Sequence, residues 1–117
     1  LNNSQPLKTS LIAKICSSYF CRLRGLMFSK NIEKSQGLLL KMPKESIFMS
    51  GIHMVAVNFD LGAVWINTEK IVVDVQLAKK WVSVLTPVKP AKYVLEIHPD
   101  RVAEFSLGDK VQFEDDK

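Results

Sequence analysis

Hydrophobic and polar residues alternate along much of the chain with a period of two, the spacing of a strand with one buried face. The clearest case is a hairpin, because residues 63–66 and 71–77 are rich in β-branched and aromatic side chains. The polar connection between them opens with Asn67, which tolerates left-handed backbone. Other extended segments are predicted at residues 7–15, 37–42, 46–54, 81–85, 93–97 and 110–113.

Signals for helices are short. Within residues 19–28 the apolar positions recur at intervals of three and four, Ser17 or Ser18 is placed to cap the helix, and Gly25 weakens or ends it. No long helix is available for parallel crossovers. The sequence therefore predicts a mainly β fold, a single-domain antiparallel β-sandwich or barrel of jelly-roll type with one or two short helices.

A second short helical piece is expected after the turn that contains Pro99, with Asp100 as its cap. A chain of 117 residues suits one domain that buries its own core. We therefore predict a single domain over residues 1–117, with flexible ends at residues 1–6 and 114–117.

Charge and hydropathy narrow the classes of partner. The net charge is +4, but only Arg22, Arg24 and Arg101 are arginines, and the lysines are typical of a solvated surface. Nucleic acid is therefore an unlikely partner. No segment approaches the roughly eighteen apolar residues of a membrane helix, so a soluble domain without a transmembrane segment is expected. The sequence leaves open the oligomeric state and whether the domain is cytoplasmic or lies outside the cytoplasm after signal removal.

Two cysteines are too few for a disulfide framework. Cys16 and Cys21 on one helix would be too far apart to bridge, so a disulfide requires this segment to be irregular. A thiolate pair of Cys21 with His53, or a zinc site that adds Cys16 and His98, is conceivable, but the spacing supports neither. We predict no metal and no cofactor.

Three motifs carry a resemblance to a known family: Arg24-Gly25-Leu26-Met27-Phe28, Ile52-His53-Met54 and Tyr93-Val94-Leu95-Glu96-Ile97. With them, residues 11–113 resemble the uncharacterised prokaryotic family called domain of unknown function 192. The resemblance implies a compact β-sandwich of jelly-roll type and no established activity.

Two segments depart from the family pattern. The family usually runs Phe-Pro-hydrophobic-Asp after the histidine, where this chain has Phe59-Asp60-Leu61-Gly62, so the position of the acid is occupied by Gly62. Asp60 is the candidate to supply a carboxylate from two residues earlier. The second departure is the segment 98–101, where the family more often has a proline followed by small residues.

The candidate site residues are Arg24, His53, Trp81 and Glu96. We interpret them as the lining of a shallow groove in a non-enzymatic binding module for a small polar ligand, such as a carbohydrate, or for a peptide. One alternative is a hydrolase in which His53 is a general base oriented by Asp60 or Glu96. Another is an accessory or assembly protein that acts through an exposed sheet edge.

Overall fold

The computed structural model describes residues 11–18, 21–22, 25–27, 29, 31–81 and 84–113. Their strands form one five-stranded mixed sheet, and a 3-10 helix follows the last strand. In chain order the elements are β1 Ile12–Cys16, β2 Gln36–Ser46, β3 Leu61–Ile66, β4 Val72–Ala78, β5 Ala91–Ile97 and the 3-10 helix Pro99–Glu104.

The strands lie in the order β1-β2-β5-β3-β4, so β5 is central. The prediction of a mainly β fold with short helices is confirmed. Neighbouring strands are antiparallel as expected, except that β1 runs parallel to β2. A parallel pair needs a long crossover, and residues 17–35 provide one that contains a short helical turn among its described residues. This parallel pair was not predicted from the sequence.

Both faces of the sheet are covered, which explains why every residue of β3 is buried. The first face, called the pocket face, carries Leu40, Met42, Trp65 and Val94, and the loop that follows β2 packs on it. The opposite face, called the helix face, is closed by the 3-10 helix and the segment after it, and its buried residues are Leu39, Val64, Ile66, Val72, Tyr93, Leu95, Ile97 and Phe105.

The predicted strand over residues 46–54 is wrong. β2 continues past Pro43, because its pairing with β5 is interrupted between Lys41 and Ser46 and the missing N–H needs no partner there. The chain then turns: the Met49 N–H donates to Ser46 Oγ at 3.0 Å, and Ser50 Oγ donates to the Ser46 carbonyl. Local side-chain bonds of this kind compete with a strand ladder.

The hairpin is confirmed as β3 and β4. Asn67 Oδ1 accepts the N–H groups of Glu69 and Ile71, whereas the left-handed residue is Lys70, with φ of 67°. The predicted strand over residues 110–113 is wrong, since Lys110 makes only an isolated bridge to Ile71.

The 3-10 helix lies where the second helical piece was expected. Its cap is His98 rather than Asp100, because His98 Nδ1 accepts the Asp100 N–H at 3.0 Å. Arg101 is buried, and its Nε donates to the Glu104 carboxylate at 2.6 Å, a contact within the same helix. No helix among the described residues is long and apolar enough to cross a membrane.

Cys16 and Cys21 form a disulfide with Cα atoms 5.6 Å apart. The irregular segment that this requires is present, because Cys16 ends β1 and Cys21 belongs to a separate helical turn. Ser18 caps that turn by accepting the Cys21 N–H at 3.1 Å, and Gly25, with φ of 50°, ends it. The predicted flexible ends lie outside the described residues.

Candidate functional site

Glu96 is a buried acid in the middle of the sheet. It lies on central strand β5 between Leu38 of β2 and Ala63 of β3, and two-residue alternation places its side chain with Val94 on the pocket face. The residue is 3% exposed, and its Oε1 has no hydrogen-bond partner among the described residues. Burial raises the pKa of this carboxyl to about 7.

A pocket of about 270 Å³ opens above Glu96. Its base is the pocket face of the sheet, and its walls are the helical turn after β1 and the loop after β2. The residues that line it are mostly apolar and are Arg22, Gly25, Leu26, Leu40, Met42, Met49, Gly51, Ile52, His53, Val57, Leu61 and Glu96. An apolar cleft with a few converging polar groups is the usual form of a small-molecule site.

Gly25 brings backbone rather than a side chain close to the acid. Its N–H donates to the Cys21 carbonyl at 2.9 Å, and a Cβ built at this position would lie 3.9 Å from Glu96 Oε1. The positive φ of 50° is strained for any residue with a side chain. A Cβ at this distance would make an ordinary contact, so the backbone conformation rather than lack of space favours the glycine of the first motif.

Among the described residues of the pocket wall, the positively charged one is Arg22. Its N–H donates to the Ser18 carbonyl at 3.0 Å, and its guanidinium Nη1 donates to the Ser17 carbonyl. These bonds place the guanidinium on the turn that forms the wall. Arg24, the arginine predicted for the site, lies outside the described residues. A signal for Arg22 was present, because it follows the Ser18 cap by one turn.

His53 and Glu96, both predicted site residues, line the same pocket. His53 is half-buried, and its Nδ1 accepts the Val55 N–H at 3.2 Å. Among the described residues no hydrogen bond joins His53 to Glu96 or Asp60. Asp60 is absent from the pocket wall and accepts the Lys80 N–H at 2.9 Å. The geometry of an oriented general base is therefore not among the described contacts.

Trp81, the remaining predicted site residue, is not part of the pocket wall. It is 56% exposed, and its Nε1 donates to Asn58 Oδ1 at 2.6 Å. Gly62 does not face the pocket either: a Cβ there would overlap Val102 Cγ2 on the helix face. An acid at this position would not fit against the 3-10 helix.

The sulfur-based alternatives need free thiolates, and both sulfurs are bonded to each other in this structure. Among the described residues no group of three or more His, Cys, Asp or Glu is placed to hold a metal ion. Among the described residues, the polar side chains of the pocket wall are one acid, one guanidinium and one imidazole, set in a large apolar surface.

Solved structures confirm the fold. A Sinorhizobium meliloti protein, proposed to be a transcription regulator, superimposes with a TM-score of 0.77 at 19% identity, over 84% of this chain and 78% of that one. A Novosphingobium aromaticivorans protein of unknown function gives a TM-score of 0.75 at 19% identity, over 86% of this chain and 74% of that one. Likeness at this level of identity concerns the fold alone.

The chain is also similar in sequence to UPF0127 proteins. A UPF0127 protein of Thermococcus kodakarensis is 32% identical over 86% of this chain, which spans 63% of that protein. A UPF0127 protein of Pyrococcus abyssi is 28% identical over 97% of this chain and 95% of its own length. The chain thus spans less than two thirds of the Thermococcus kodakarensis relative. The model of the domain of unknown function 192 family, described as an uncharacterized ACR, matches residues 2–113, and the chain therefore belongs to this family.

Proposed function

We propose that the domain is a non-enzymatic binding module for a small ligand with a polar group, held in the pocket above Glu96. The observation that carries this proposal is the buried Oε1 of Glu96, which has no partner among the described residues and lies at an open pocket. A buried polar atom without a hydrogen bond is costly, typically by about 1–3 kcal/mol, so such atoms are rare and mark functional positions. A ligand N–H or O–H would remove this cost.

The composition of the wall specifies the ligand further. Most lining side chains are apolar, so the body of the ligand is expected to be apolar and its polar part small. A carbohydrate needs many hydrogen bonds, and Trp81, whose ring could stack on a sugar, does not line the pocket. The wall thus favours an amphipathic molecule over a sugar. Binding is also favoured over hydrolysis, because Asp60, a candidate to orient His53 as a base, is absent from the pocket wall and accepts the Lys80 N–H instead.

A thermal-shift screen of small apolar molecules, each with one amine, alcohol, amide or acid group, tests this function. We expect donors to raise the unfolding midpoint by mass action. In Glu96→Leu the same donors should bind about 10- to 100-fold more weakly, the loss expected for a hydrogen bond to a charged group. Unliganded Glu96→Leu should be more stable than the natural protein above about pH 7, because a buried charge is replaced by an apolar side chain.

Asp60→Asn is the matched control, since it alters a carboxylate that is absent from the pocket wall. Its ligand affinities should equal those of the natural protein. The proposal is refuted if no donor compound binds, or if Glu96→Leu binds the donors as well as the natural protein does.

A further inference from the structure

The pocket wall carries opposite charges on different elements. Glu96 comes from the central strand, and Arg22 comes from the helical turn that closes the pocket. No hydrogen bond or ion pair among the described residues joins these two side chains. The charges therefore do not neutralise each other through direct contact, and each is placed to meet an oppositely charged group of a ligand.

A ligand with only one charged group is a poor match for this pocket. A ligand with only an anionic group would meet Arg22 but would bring a second negative charge to the buried Glu96. A ligand with only a cationic group would meet Glu96 but would place its charge in a pocket that also holds a guanidinium. A ligand with both charges satisfies both groups, and it leaves no net charge in a site with a low dielectric constant.

Arg22 retains the means to bind an anion. A guanidinium has five N–H donors, and the described contact with the Ser17 carbonyl engages only Nη1. That contact fixes the side chain on the turn, so less conformational entropy is lost when the remaining donors engage a carboxylate.

The volume of the pocket and its apolar lining limit the size and chemistry of the rest of the ligand. The volume of about 270 Å³ lies just below the range of pockets that hold drug-sized molecules, so the ligand is small. Met42 and Met49 are both in the wall, and unbranched thioethers adapt to side chains of different shape. Leu26, Leu40, Ile52 and Val57 complete a surface suited to an aliphatic or aromatic group.

We propose that the ligand is a zwitterion with an apolar side chain, of the class of the apolar α-amino acids, whose ammonium group contacts Glu96 and whose carboxylate contacts Arg22. This inference rests on the proposed binding function and names its ligand class. The apolar side chain lies against the leucine and methionine side chains of the pocket face.

Four ligands that share a 3-methylbutyl group test the proposal by isothermal titration calorimetry at about pH 8, where Glu96 is mostly charged and the amines are still protonated. They are leucine, isoamylamine, isocaproate and isoamyl alcohol, which carry both charged groups, the amine alone, the acid alone and neither. Leucine should bind at least about 10-fold more tightly than each of the others, because each charge-assisted hydrogen bond is worth at least that factor. Methionine and phenylalanine should bind comparably, and aspartate and lysine should not bind.

Variants assign each charge to its partner. Arg22→Met should reduce the affinity for leucine to that for isoamylamine and leave the affinity for isoamylamine undiminished. Glu96→Gln should reduce the affinity for leucine to about that for isocaproate. Lys34→Met is the control, because Lys34 pairs with Asp100 at 3.2 Å and is absent from the pocket wall. Its affinity for leucine should be that of the natural protein.

The possible failures are distinguishable. If isoamylamine or isoamyl alcohol binds as tightly as leucine, the zwitterion is wrong while binding of a donor at Glu96 stands. If leucine binds equally to Arg22→Met and to the natural protein, the assignment of the carboxylate is overturned. If none of the four ligands binds, the inference fails, and the donor screen decides separately whether the binding function fails with it.

Discussion

Replacing Glu96 with glutamine should remove a specific pH dependence of stability. The ordinary carboxyl pKa is 4.5, and burial raises the folded value to about 7. Between these values the folded protein keeps a proton that the unfolded chain has lost. The stabilisation from this group is therefore complete below about pH 4.5, decreases as the pH rises through 7 and is absent above that. Glutamine is neutral throughout and has no such dependence.

The magnitude follows from the two pKa values. One pKa unit corresponds to about 1.4 kcal/mol, so the free energy of unfolding should fall by about 3 kcal/mol between about pH 4 and pH 8 because of Glu96 alone. For a domain of this size, such a change lowers the thermal midpoint by on the order of 10 °C. The difference between the natural protein and Glu96→Gln isolates this contribution, since the two proteins differ at no other titratable group.

Urea unfolding at constant ionic strength, followed by the fluorescence of the buried Trp65, measures the free energy at each pH. Glu45→Gln is the control, because Glu45 Oε2 accepts the Thr68 N–H at 2.6 Å and that bond lowers the pKa of Glu45. A lowered pKa contributes stability that is lost at acidic pH, so Glu45→Gln should keep the decrease between about pH 5 and pH 8. If Glu96→Gln keeps it as well, Glu96 is charged in the folded protein and the argument from burial is wrong.

Three further changes test contacts that hold the fold together. Gly62→Ala should destabilise the fold by about 1–3 kcal/mol in urea unfolding, because the new Cβ would overlap Val102, whereas Gly62→Ala paired with Val102→Ala should recover part of the loss. Asp74→Ala should lower the free energy of unfolding by about 2 kcal/mol, because Asp74 accepts the Val88 N–H, in the segment after β4, at 3.0 Å. The same variant should speed hydrogen exchange in that segment, and unchanged exchange would contradict this. Reduction of the Cys16–Cys21 disulfide should cost about 2 kcal/mol for so short a loop, and a variant with both cysteines replaced by alanine should not respond to the reductant.

Two residues of the site could be predicted from the local sequence. His53 and Glu96 stood out because each interrupts an apolar strand-like run, and a polar residue in such a run is either bonded or functional. The two residues are 43 positions apart, yet they line one pocket. They meet because β5 pairs with β2 and the loop after β2 folds back onto the pocket face. Trp81 is exposed as expected of a binding residue, but exposure alone does not place it on the same surface as His53 and Glu96.

Local chemistry therefore determined the mainly β character, the β3–β4 hairpin, a cap at Ser17 or Ser18 and the glycine that ends its turn, because periodicity, capping and backbone preferences act within a few residues. Tertiary structure decided the parallel β1–β2 pair, the turn after Ser46 and the absence of space at Gly62. It also decided that the carboxyl of Glu96 lies unpaired under an open pocket. These features depend on contacts between residues far apart in the chain, and the free energy of such contacts is not encoded in any short window of sequence.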